Sequence, residues 1–150
     1  MNRIFRLMLA ARHVLVLTAV LGAFSTASGA DTLRIRMIRA GFEEGLTAHA
    51  LLDVMAMMKN TLAFKTYTLD AEARIPLPAD GAVARLRVYE VTCKGNADRL
   101  SVHIVRRGKR ILSTEATIRP GHPVILGGFP ARSKGMRMFV LTVEPDPKKP

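Results

Sequence analysis

The sequence predicts an α+β domain in which one helix packs on a mostly antiparallel sheet of about six to seven strands. Three observations lead there. "LRIRMI", residues 33–38, alternates apolar and polar residues with the period of a strand. "LTAHALLDVMAMMKN", residues 46–60, switches to helical spacing. From Phe64 to Val143 the chain breaks into short β-branched and apolar segments punctuated by Gly, Pro and Asp, with no second helical stretch.

In the first strand Leu33, Ile35 and Met37 share one face, and Arg34 and Arg36 the other. This predicts a half-buried strand with its arginines in water. In the helix, Leu46, Ala50, Val54, Met57 and Met58 form the apolar stripe, widened by Leu51 and Met55. Ala, Leu and Met favour helix, Thr47 suits the N-cap, and Lys59-Asn60 suits the end, so the helix should run for about 13 residues. "FKTYTL" reads as a strand. "ARIPLPADG" carries two prolines and an Asp-Gly turn signal, which makes it an edge piece or a loop.

"VARLRVYEV" alternates again and reads as one strand, with Leu86 and Val88 on one face and Arg85 and Arg87 on the other. "LSVHIV" and "ILSTEATI" flank "RRGKR", the strongest hairpin signal in the chain. The apolar residues of both arms are even-numbered, Leu100, Val102 and Ile104 against Leu112, Ala116 and Ile118. Facing residues share a side of the sheet, so even must oppose even. That predicts a loop of three or five residues with Gly108 in a left-handed bulge position. Val124–Leu126 reads as a short strand, and the paired glycines of "LGGFPARSKG" as a turn. "MRMFVLTV" is apolar on both faces from Phe139 to Val143, the mark of a central strand. "EPDPKKP", residues 144–150, reads as a disordered tail.

The start of the chain sets the compartment. Val14–Phe24 is an apolar run of eleven residues, short of the roughly 20 that a spanning helix needs. Arg3, Arg6 and Arg12 precede it, and no acid occurs before Asp31. "STASGA" follows, placing the small residues Ser28 and Ala30 three and one positions before a cut between Ala30 and Asp31. This is the layout of a secretory signal peptide. Residues 1–30 are therefore expected to be a leader, 31–143 a single domain in the periplasm or outside the cell, and no membrane span remains in the mature chain.

The whole chain carries a formal charge of +11. Removing the leader takes three of 23 basic residues and none of 12 acids, which leaves about +8 on 120 residues. Such a surface could meet nucleic acid, anionic lipid or acidic glycan. Export argues against nucleic acid, and the few rings sit in alternating strands rather than as exposed stacking platforms. Solvated arginines, or another envelope protein or anionic envelope surface, fit better. Cys93 is the only cysteine, so no intramolecular disulfide can form.

No catalytic set assembles from the sequence. Ser101 and His103 share a strand face, with Ser113 and Glu115 opposite, but that face should be solvent and no strained elbow surrounds either serine. His49 and Asp53 are four apart on the helix, a common chance spacing, and His122 is isolated. Met55, Met57 and Met58 suit a core better than a copper site. "LGGFPARSKG" lacks the Gly-Lys-Ser/Thr ending of a phosphate loop and is followed by a strand. Glu43 and Glu44 are adjacent and decorate a loop. No cofactor or metal is expected.

"LRIRMIRA", the helix, "LAFKTYTL", "ILSTEATIRPGHPVILGGF" and "MRMFVLTV" together resemble a loose group of small exported bacterial proteins with one helix, a Phe-x-x-Tyr strand and a glycine-bearing hairpin before a last apolar strand. The resemblance spans most of residues 33–143 and implies export and an α+β fold. "RPGHPVILGGF", residues 119–129, is similar to a strand-turn of secretins, the outer-membrane pores of secretion and pilus systems. The expectation is a non-enzymatic binding or accessory module of the cell envelope, with Arg106, Arg107, Lys109 and Arg110 as its contact surface. The alternatives are an accessory subunit of a secretin-type system, and a small hydrolase or ligand-binding enzyme using His103 or His122.

Overall fold

The strand that opens the domain is covered on both faces, and that fact organises the rest. The computed structural model describes residues 30–131 and 135–148. In it β1, Thr32–Gly41, pairs antiparallel with β2, Thr66–Pro76, on one side and β8, Gly135–Glu144, on the other. The edge strand β7, Val124–Ala131, completes a first sheet in the order β2-β1-β8-β7. A second antiparallel sheet holds β3, Ala79–Leu86; β4, Tyr89–Gly95; β5, Leu100–Arg106; and β6, Lys109–Ala116, in sequence order.

Leu33, Ile35 and Met37 of β1 and Phe139, Leu141 and Val143 of β8 join one core with Leu86, Tyr89, Val91, Val102 and Ile104 of the second sheet. Alternation sends Ile38 and Ala40 of β1 and Met138 and Val140 of β8 the other way. These are covered by a one-turn 3-10 segment, His49–Leu51, and by α1, Leu52–Thr61, through Leu51, Val54, Met55 and Met58. Helix, sheet and sheet thus form three layers, and the two central strands lose water from both faces.

This overturns the expected single sheet. Among the described residues there are eight strands in two sheets, a β-sandwich-like fold with one short helical segment of 13 residues, not one helix on one sheet of six or seven strands. A principal reason is a hairpin hidden in "VARLRVYEV". Its residues are β3, a two-residue turn at Arg87 and Val88, and β4, with Leu86 opposite Tyr89. Arg87 takes the left-handed conformation, φ 57°, in a place that glycine or asparagine usually occupies. The buried set does switch there, from Ala84 and Leu86 to Tyr89, Val91 and Cys93. A two-residue turn inverts parity in this way, so the switch is a signal that simple alternation conceals.

The β5–β6 hairpin keeps the expected facing but not the expected loop. Val102 opposes Thr114 and Ile104 opposes Leu112. The loop is nevertheless the two residues Arg107 and Gly108, at φ 49° and 78°. The extra residue needed to restore parity sits inside β6, at Ile111. The glycine pair Gly127-Gly128 likewise forms no turn. β7 runs through it, with Gly128 the unpaired residue of a bulge and both glycines at positive φ, 107° and 129°. That bend swings Phe129 onto Tyr89 and Phe139.

"ARIPLPADG" is the crossing between sheets. Its prolines lie at the junction of the edge strands β2 and β3. Thr47 does not cap the helix, which has no side-chain cap, and Leu46 is 96% exposed rather than part of the stripe. The expected leader lies outside the described residues except for Ala30, which is exposed. Of the expected tail, residues 144–148 are described, and the Asp146 backbone N–H donates to Asp31 Oδ1 at 3.3 Å.

Candidate functional site

One end of the sandwich gathers arginines from three strands and two turns. The two-residue turns of the second sheet stand side by side, with the Arg107 backbone N–H donating to the Val88 carbonyl at 3.3 Å. They face the end of β1, the end of β7 and the start of β8. Arg39, Arg87, Arg106, Arg107 and Arg137 line a cleft of about 360 Å³ there, with Val88, Pro130 and Ala131 as its apolar wall.

The carboxylate of Asp70 answers two of them. Asp70 is the extra residue of a bulge in β2, where Met37 pairs with Ala71 and Ile38 with Leu69. Its carboxylate is nearly buried and accepts from Arg137 Nη2 at 3.1 Å, with Arg39 Nη2 at 3.9 Å. Arg87 Nε donates to the Asp70 backbone carbonyl at 2.9 Å. Arg87, Arg106 and Arg107 have no carboxylate partner among the described residues, so the cleft is strongly basic.

Tyr89 is the platform between them. Its ring centroid lies 5.7 Å from Arg106 Cζ and 5.6 Å from Arg137 Cζ. Arg137 Nη1 also donates to Tyr89 Oη at 3.4 Å. The hydrogen bonds to Tyr89 and then to Asp70 hold the Arg137 guanidinium above its ordinary value, against the opposing effect of burial. The Nε atoms of Arg106 and Arg137 are buried and have no hydrogen-bond partner among the described residues.

Of the expected contact surface, the cleft takes Arg106 and Arg107. Lys109 and Arg110 start β6 beside it and are exposed. Arg39, Arg87 and Arg137 were not singled out from the sequence. Arg87 and Arg137 follow patterns that read as ordinary alternation, whereas Arg39 breaks the alternation of β1 after Ile38, and only the tertiary fold brings the three together. At the expected cleavage point, the Asp31 carbonyl accepts from the Leu77 backbone N–H at 2.7 Å.

The residues weighed for catalysis are placed as follows. His103 Nδ1 and Ser113 Oγ lie 2.8 Å apart on the outer face of the second sheet. Glu115 is engaged by Arg99, at 3.3 and 3.5 Å, and gives His103 no orienting carboxylate. His122 is exposed in a turn, paired through its backbone with Arg119. His49 is exposed, while Asp53 is taken by Arg36. Met55 and Met58 are buried beneath the helix. Among the described residues no group of three or more His, Cys, Asp and Glu could hold a metal ion, and no helix is long and apolar enough to cross a membrane.

Cys93 is fully buried on β4, and burial pushes its thiol up to about 11. In comparisons with known proteins, no family model, no curated protein and no solved structure matches the chain.

Proposed function

We propose that this chain is an exported, non-enzymatic binding module that attaches to an anionic envelope surface through the basic end of its sandwich. The observation that supports this is the concentration of Arg39, Arg87, Arg106, Arg107 and Arg137 around one cleft, flanked by the exposed Lys109 and Arg110. Fields from such a cluster steer and hold negatively charged partners. Export is supported by the leader pattern of residues 1–30 and by the exposed position of Ala30, so that cutting after it would leave the described body intact.

Sedimentation with anionic vesicles containing phosphatidylglycerol, against neutral phosphatidylcholine vesicles, tests the reading. Attachment should need the anionic lipid, weaken with salt, and fall at least tenfold in K109E/R110E. Attachment unchanged by that charge reversal would overturn it.

A second reading, docking on another envelope protein by strand addition, is favoured by the open edge of β7, which carries the secretin-like words. Proline scanned over Val124–Leu126 would block such pairing without altering the charge.

A further inference from the structure

We infer that the arginine cleft is a specific site for a phosphomonoester group, an inference that rests on the proposed attachment through the basic end. The geometry points to an anion rather than to a merely solvated charge patch. Five guanidinium groups line one concave space with no carboxylate among its described lining residues, and Asp70 behind it is already engaged by Arg137. Like charges held together in a partly enclosed space repel, and a bound anion relieves that repulsion.

The same features select the class of anion. A carboxylate offers two oxygens and one charge. A phosphomonoester offers three terminal oxygens and up to two charges, which suits several guanidinium forks at once. The space of about 360 Å³ is larger than phosphate alone requires, and Val88, Pro130 and Ala131 give it an apolar wall. The ligand is therefore a phosphate carried on a small organic body. Arg106 and Arg137, fixed against Tyr89, are preorganised to receive the phosphate, while the exposed Arg107 closes on it from the turn.

The phosphate could arrive free in solution or on a lipid headgroup, and the test has an arm for each. Calorimetric titration of the full chain with glycerol 3-phosphate, at salt near 0.15 M, reads the free form. Vesicles of phosphatidylcholine doped with phosphatidic acid, against vesicles of equal charge made with phosphatidylglycerol, read the lipid form. Saturable binding in either arm is expected, at least tenfold weaker for glycerate or for phosphatidylglycerol. It should weaken at least tenfold in R106Q and in R107Q and stay within twofold in R119Q, which removes one charge at the opposite end. R107Q changes an exposed turn residue and keeps the test open if R106Q fails to fold.

Absence of binding in both arms, equal affinity for the carboxylate and the phosphate, or an equal loss in R119Q would overturn the inference. If the site fails but vesicle attachment still depends on Lys109 and Arg110, the broader reading survives. If attachment itself is indifferent to those residues, the broader reading fails whatever the titration shows.

Discussion

Arg36 and Asp53 form an ion pair across two layers of the fold, with Nη1 of the guanidinium 2.6 Å from Oδ1 of the carboxylate. Arg36 lies on the helix-facing side of β1 and is 0% exposed, while Asp53 is in the first turn of α1 and half exposed. The guanidinium also donates to the Ala50 carbonyl at 3.2 Å and to Thr142 Oγ1 at 3.5 Å. One buried cation therefore ties the helix to both central strands.

Removing the anion alone should cost more than removing the cation. In D53A the buried charge loses its partner, and the expected loss is about 2 kcal/mol, below the roughly 3–5 kcal/mol of an enclosed pair because Asp53 is already half in water. R36M fills the same space without a charge and should be within about 1 kcal/mol of wild type. Urea unfolding of D53A, R36M and the double variant checks this. The double variant should be more stable than D53A; if it is weaker, the charge is not what Asp53 answers.

The acid side of the stability curve should be steep below about pH 5. In the folded protein the hydrogen bond and charge of Arg34 hold the Glu72 carboxyl below its ordinary 4.5. For Asp53 burial pushes up, and the Arg36 hydrogen bond and charge outweigh it, holding that carboxyl below its ordinary 3.8. On acidification the unfolded chain takes up protons first. The stabilisation is complete above the ordinary values and is lost as pH falls through the lower folded ones. Urea midpoints measured from pH 6 to pH 3 should fall along that window, less steeply in E72Q and D53N. Equal slopes in all three proteins would contradict it.

Arg107 should trade stability for binding. It sits left-handed at φ 49° before Gly108 at φ 78°, where Asn-Gly is the favoured pair. R107N should therefore stabilise the hairpin by about 0.5–1 kcal/mol, since asparagine tolerates this conformation better than arginine. The same change should weaken phosphomonoester binding as R107Q does. A variant that gains neither midpoint nor loses affinity would show that neither turn strain nor the side chain matters there.

Cys93 should behave as an inert thiol. With burial pushing it to about 11, about one thiol in a thousand is ionised at pH 8, and the sulfur has no path to solvent. A disulfide reagent should leave the folded protein unlabelled at pH 8 and label it at once in urea. Rapid labelling without denaturant would place the thiol elsewhere.

Much of the architecture was legible one strand at a time. The double-sided apolar pattern of Phe139–Val143 identified a central strand, and β8 lies between β1 and β7. The parity of Leu100–Ile104 against Leu112–Ala116 set their facing correctly, although the inserted residue went into the strand at Ile111 instead of the loop. Arg36 was misread because its alternation with Leu33, Ile35 and Met37 is the same whether the opposite face meets water or a helix. The cleft was half visible in the basic hairpin. Of its remaining arginines, Arg87 sits in a hidden turn, Arg39 breaks the alternation of β1 and Arg137 follows that of β8, and nothing local brings the three together.

From sequence alone follow the alternation of Leu33–Met37 and of Leu100–Ile104, the position of the helix and the basic character of the β5–β6 turn, because these depend on residues within a few positions of one another. Tertiary structure decided that the strands divide into two sheets, that Arg36 is enclosed, and that five arginines share one cleft. Periodicity records that a face is apolar or polar. What covers that face, and which distant charges meet at its end, is set by how the layers close over one another, and no local pattern carries that information.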